Sequence, residues 1–123
     1  MKRILIVDDA ATVRLYHRNI LESAGYTVEE AINGIEALEK ALQAPFDLYV
    51  VDINMPKLDG YGFLKEMRSL EIAQAPAIMV STEAEADDRQ RAYRAGANLY
   101  LIKPVKPDGL LTYANLLLGE AFA

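Results

Sequence analysis

Asp47-Leu48-Tyr49-Val50-Val51-Asp52, followed directly by Ile53-Asn54-Met55-Pro56-Lys57-Leu58-Asp59-Gly60, is the stretch that decides how this chain folds. An apolar run that ends on a carboxylate and breaks into Met-Pro and Asp-Gly predicts a buried parallel strand that delivers Asp52 to a loop mouth. Open α/β sheets keep their chemistry at such strand ends. Near the N-terminus, Ile4-Leu5-Ile6-Val7 repeats the arrangement and ends in Asp8-Asp9. Three carboxylates converge if the two strands are neighbours.

The segments around these two runs alternate between strand-like and helix-like patterns. After Asp9, Val13, His17, Ile20, Leu21 and Ala24 share one side of a helix, and Gly25 sits where a left-handed cap belongs. Tyr26 to Ala31 mixes apolar and charged positions, as a less buried edge strand does, and Asn33-Gly34 marks a turn. Ile35, Leu38 and Leu42 are spaced for one helix face, which Pro45 ends. Beyond Asp52, Tyr61, Leu64 and Met67 predict a third helix, and Ala77 to Val80 a fourth buried strand ending in Ser81 and Thr82. Glu83, Glu85, Asp87 and Asp88 crowd the start of the next helix, where the helix dipole favours negative charge, and Gly96 caps its end. Leu99 to Ile102 is a fifth strand ending in Lys103-Pro104, and Pro107-Asp108 opens a last helix rich in leucine. Alternation of this kind packs as a parallel sheet with right-handed crossovers. Strand order 2-1-3-4-5, with helices on both faces, gathers the ends of strands one, three, four and five, so the expected fold is a flavodoxin-like (βα)5 domain.

Composition bounds the rest. With 123 residues, 52% hydrophobic and 25% charged, the expectation is one globular domain, 1–123, with a core of its own. The chain has no cysteine, which excludes disulfides, thiolate zinc sites and cysteine nucleophiles and is compatible with a cytoplasmic location. Met1-Lys2-Arg3 precedes only a short apolar run, neither a signal peptide nor a membrane span. A formal net charge of −5 disfavours nucleic acid as a partner.

Gathered at one edge, Asp8, Asp9, Asp52, Ser81 or Thr82, and Lys103 form a coherent set. Three adjacent carboxylates repel one another unless a cation intervenes. Hard oxygen ligands without histidine or cysteine suit Mg²⁺, which commonly bridges to phosphate. A lysine and a hydroxyl facing them are able to bind phosphoryl oxygens, and aspartate is a nucleophile for phosphoryl transfer.

The combination of Asp8-Asp9, Asp52 with Asn54-Met55-Pro56 and Asp59-Gly60, Ser81, Tyr100 and Lys103-Pro104 closely resembles the receiver domain of two-component response regulators, in its stand-alone, CheY-like form. The resemblance covers essentially the whole chain. It implies that Asp52 is the phosphoacceptor, and that Asp9, Asp52 and the backbone carbonyl of Asn54 hold Mg²⁺, with Asp8 behind a water. It further implies that Lys103 pairs with the phosphoryl group, across a bond to Pro104 that is usually cis. Ser81 is the switch hydroxyl, Tyr100 the aromatic that follows it, and Asn54 and Glu83 tune dephosphorylation. A histidine kinase is the implied donor, and an effector protein the implied reader of the helix 4, strand 5 and helix 5 face. Such a protein catalyses only its own aspartyl phosphorylation and dephosphorylation, and is expected to be a monomer unless activation pairs it. Ala10, Thr82, Val105 and Lys106 depart from common family residues.

Plainer readings stand beside these. Asp8 and Asp9 serve as helix caps in many proteins, and Asp59-Gly60 reads as turn chemistry. His17, the only histidine, reads as an inner-face residue. The leucine surplus of the last helix reads mostly as core. Three other functions compete: an Mg²⁺-dependent phosphohydrolase with an aspartyl intermediate, a phosphate sink without an effector, and a flavin binder, which Asp8-Asp9 would repel.

Overall fold

The computed structural model describes residues 2–119, so Met1 and residues 120–123 of the expected 1–123 domain lie outside the described residues. Strands and helices alternate: β1 (Arg3–Val7), α1 (Ala11–Ser23), β2 (Thr27–Ala31), α2 (Gly34–Gln43), β3 (Leu48–Asp52), α3 (Gly60–Ser69), β4 (Ala77–Ser81), α4 (Ala86–Ala95), β5 (Leu99–Ile102) and α5 (Pro107–Leu118). Every strand pair is parallel and the order is β2-β1-β3-β4-β5, as the sequence predicts.

Alternate residues of each strand face opposite layers. Leu5, Val7, Tyr49, Val51 and Met79 pack with Ala37 and Ala41 of α2, Phe63, Leu64 and Met67 of α3, and Ala92 of α4. Ile4, Ile6, Leu48, Val50, Ile78 and Val80 pack with Ile20 and Leu21 of α1 and with Leu110, Ala114 and Leu118 of α5. The central strands are buried on both faces, which is why β1, β3 and β4 read as continuous apolar runs.

Helix ends follow the local chemistry. Gly25, at φ +92°, closes α1: its N–H donates to the carbonyl of Glu22 at 3.0 Å, and the N–H of Tyr26 donates to that of Leu21 at 3.3 Å. Ala24, expected on the inner side, is exposed because the helix ends there. Asp59 caps α3, its Oδ1 accepting the N–H of Gly62 at 2.8 Å, a contact worth about 1 kcal/mol. Gly60 lies so close to β3 that a Cβ there would stand 2.3 Å from the carbonyl oxygen of Asp52. Asp-Gly is thus both a turn and the seat on which the backbone of Asp52 rests.

One helix face differs from expectation. Ile35 and Leu42 are 44% and 60% exposed, and the buried stripe of α2 is Gly34, Ala37 and Ala41, with Leu38 partly covered. Close approach selects this stripe. Gly34 donates its N–H to the carbonyl of Leu58 at 3.0 Å, and a Cβ on Gly34 would meet that oxygen at 2.6 Å. Small residues therefore occupy the seam and the larger ones turn outward.

Tyr49 is fully buried between the rings of Phe46 and Phe63, with centroids 5.8 Å and 5.7 Å away. Its hydroxyl has no hydrogen-bond partner among the described residues, and burial pushes the phenol pKa up. A buried, unpaired hydroxyl costs about 1–3 kcal/mol. Tyr49→Phe is accordingly expected to raise the unfolding free energy by about 1 kcal/mol in urea titrations; a loss of stability would show that the hydroxyl is paired.

Candidate functional site

Strand register brings the acidic residues together. Val7 is level with Val51, so the next step along β1 and β3 places Asp8 beside Asp52. Both carry the parity of the strand positions that face α1 and α5. From the end of β5, Lys103 reaches the same point, with Nζ 2.9 Å from Asp8 Oδ2 and 3.0 Å from Asp52 Oδ1. Asp8 Oδ1 accepts the N–H of Ala10 at 2.9 Å, and Arg14 Nη1 donates to the Asp8 carbonyl at 2.8 Å. Asp8 and Asp52 are only 1% and 7% exposed, whereas Asp9 is open to solvent.

Burial pushes the Asp52 carboxyl above its ordinary pKa; the charges of Asp8 and Asp9 push the same way, against the hydrogen bond and charge of Lys103. For Lys103, burial alone would favour loss of the proton, but its bonds to Asp8 and Asp52 outweigh it and hold the ammonium charged above its ordinary value. The cluster carries more negative than positive charge in a partly dry site.

Asp8, Asp9 and Asp52 each offer a carboxylate oxygen, and these atoms lie within 4.8 Å of one another. That donor set fits Mg²⁺: the oxygens are hard, they repel one another, and one member opens to water. Asn54 is exposed two residues beyond Asp52, and Lys103-Pro104 is a cis peptide.

Ser81 and Tyr100 have the opposite parity and face the α3/α4 layer. Ser81 is buried at the end of β4, and its Oγ accepts the N–H of Glu83 at 3.0 Å. The Tyr100 ring lies inward, 5% exposed, and its hydroxyl donates to the carbonyl of Glu83 at 2.8 Å. Arg89 of α4 lies over that ring, 5.6 Å from its centroid. Glu83 therefore ties Ser81 to Tyr100 through its backbone, while it is exposed to solvent.

The family model for the response regulator receiver domain matches residues 4–115. The chain belongs to the response regulator receiver family. Chemotaxis protein CheY of Bacillus subtilis is 41% identical over 114 residues, 92% of this chain and 94% of that protein. Transcriptional regulatory protein ResD of the same species is 36% identical over 97% of this chain, which spans only 49% of ResD. Among solved structures, Vibrio cholerae chemotaxis protein CheY4 aligns with a TM-score of 0.89 at 36% identity, covering 95% of this chain and 98% of that one. A CheY-like receiver domain protein from Methanospirillum hungatei aligns at 0.90 and 35%, covering 97% and 94%.

In this receiver domain the direct bond from Lys103 to Asp8 is a contact the sequence does not announce, separate from the expected place of Asp8 behind a water on Mg²⁺. The cap of α1 is Ala10, and no side chain caps it, so Asp8 and Asp9 are not its capping residues. Arg14 and Gly60 were also missed as neighbours of the site. Only Asp-Gly after the strand hinted at the second.

His17 is buried where expected, and its Nδ1 has no partner among the described residues. Burial lowers its pKa below 6.5; the charge of Asp8 opposes this and that of Lys103 adds to it. The folded chain therefore keeps His17 neutral where the unfolded chain takes up a proton. Stability should fall as pH drops through 6.5, and His17→Leu should flatten that part of a urea-midpoint profile; an unchanged slope would contradict the assignment. Charge substitutions should move Mg²⁺ affinity in opposite directions, each on the order of tenfold. By calorimetry, Asp9→Asn is expected to weaken binding and Lys103→Met to tighten it; weaker binding in both would contradict this electrostatic account.

Proposed function

We propose that this CheY-like receiver domain accepts a phosphoryl group from a histidine kinase on Asp52 and changes a protein-binding surface in response. The observation that carries the reading is Lys103 bridging Asp8 and Asp52 within reach of Asp9. Asp9, Asp52 and the Asn54 carbonyl would hold Mg²⁺, with Asp8 behind a water. When bound, the ion offsets the carboxylate charge and polarises the phosphoryl oxygens.

An oxygen of the Asp52 carboxylate attacks phosphorus in line. The bond from phosphorus to the donor's histidine nitrogen breaks, and its electron pair stays on the imidazole. Lys103, already held at hydrogen-bond distance from Asp52, pairs with the transferred oxygens. Asn54 and Glu83, both exposed at the mouth, are placed to influence the water that later hydrolyses the acyl phosphate.

On the other side of β3, the Ser81 hydroxyl donates to a phosphoryl oxygen, and Tyr100 follows through Glu83. Because the ring is already inward, phosphorylation stabilises a conformer that the unmodified chain reaches. The affected surface is α4, β5 and α5, and its reader is an effector protein. Relatives matched along nearly their whole length carry chemotaxis names, which supports a chemotaxis-type pathway. The protein is proposed to act in the cytoplasm as a monomer; no helix among the described residues is long and apolar enough to cross a membrane.

Beryllofluoride with Mg²⁺ imitates the aspartyl phosphate. In NMR spectra it is expected to shift the amides of Ser81, Tyr100 and α4 in the wild type and to leave Asp52→Asn unchanged. Shifts confined to the loops beside Asp52 would defeat the switch.

A further inference from the structure

We propose that Tyr16 is a positioning residue for phosphoryl transfer: its hydroxyl, donating to the carbonyl of Val105 at 3.0 Å, holds the loop that carries Lys103 against α1. The inference rests on the phosphoacceptor reading and adds to it a residue outside the reacting atoms.

Tyr16 and Asp8 are joined through α1. α1 begins at Ala11, directly after Asp8-Asp9-Ala10, and Asp8 is fastened to it twice, through the N–H of Ala10 at 2.9 Å and the guanidinium of Arg14 at 2.8 Å. Lys103 belongs to a different segment, the loop between β5 and α5. Among the described residues, the backbone of that loop has one anchor before Pro104, where the N–H of Lys103 donates to the carbonyl of Ser81 at 2.7 Å. Tyr16 supplies a second backbone anchor, beyond Pro104, and this one leads to the helix to which Arg14 ties Asp8.

Packing supports the loop at Val105, which is buried in the core cluster that includes Ile20 and Leu21 of α1, and leaves the neighbouring space on the α1 side only partly filled. A cavity of about 270 Å³ opens there, lined by Val13, Tyr16, His17, Thr82, Lys103, Pro104 and Val105. Where side chains do not fill the space between two segments, a directional hydrogen bond sets their separation. The ring of Tyr16 is 43% exposed, so phenylalanine would cover the same surface and lose only the hydroxyl. With that bond gone, the loop has room to shift, and the Lys103 ammonium loses its fixed distance to Asp52.

The test uses the full chain, acetyl phosphate as donor and saturating Mg²⁺. Here the phosphorus–oxygen bond to acetate breaks as the bond to Asp52 forms, and acetate leaves with the electron pair. Tyr16→Phe is expected to lower the phosphorylation rate constant at saturating Mg²⁺ about three- to tenfold, with the circular dichroism spectrum of the folded chain unchanged. In a Lys103→Met background, the same substitution is expected to change the rate no further, because the group it positions is absent. A normal rate in Tyr16→Phe, or an equal loss in both backgrounds, overturns the role of Tyr16 and leaves the phosphoacceptor reading standing. A wild-type chain that takes up no phosphoryl group overturns both.

Discussion

The ammonium of Lys103, shared between Asp8 and Asp52, is the contact on which the rest of the structure depends. Two buried carboxylates on adjacent strands are costly without a counter-charge, because removal from water penalises each ion by several kcal/mol. The sheet order makes the remedy difficult to reach. Parallel strands lie about 4.8 Å apart, so β5 is about 14 Å from β1 across β4 and β3. The chain must therefore turn back over the strand ends after Ile102. The bond from Lys103 to Ser81, the buried side chain of Val105 and the hydroxyl of Tyr16 hold it there.

Strand parity then divides the work between the two faces. Asp8, Asp52 and Lys103 meet on the side of α1 and α5, whereas Ser81 and Tyr100 look toward α3 and α4. In the proposed switch a charge placed on Asp52 is sensed across β3 and β4, where the backbone of Glu83 joins Ser81 Oγ at one end to the Tyr100 hydroxyl at the other. Arg89 over the Tyr100 ring connects that link to α4. From Ser81 outward, the partners of the proposed signal are already within hydrogen-bond or ring-contact distance.

Much of this was legible in the residues. Apolar runs ending in Asp8-Asp9, Asp52, Ser81 and Lys103 announced the strands, their parallel packing and the edge at which they converge. Burial on both faces leaves that signal in the sequence. The face of α2 was not legible, because hydrophobic spacing rewards Ile35 and Leu42 and gives no weight to a seam so close that only Gly34, Ala37 and Ala41 fit. The bond between Asp8 and Lys103 depends on how the loop after β5 folds back, which no local pattern encodes. Tyr16 was hidden for a similar reason: an exposed tyrosine on a helix looks like surface until its hydroxyl is seen to reach a carbonyl 89 residues away.

The central claim is that Asp52 is the group this constellation was assembled to phosphorylate. Its most direct measurement is mass spectrometry of the chain after incubation with acetyl phosphate and Mg²⁺, with borohydride used to trap the acyl phosphate. The account predicts one phosphoryl addition, dependent on Mg²⁺ and trapped at Asp52. Trapping at another residue, or no addition with the metal present, would contradict it.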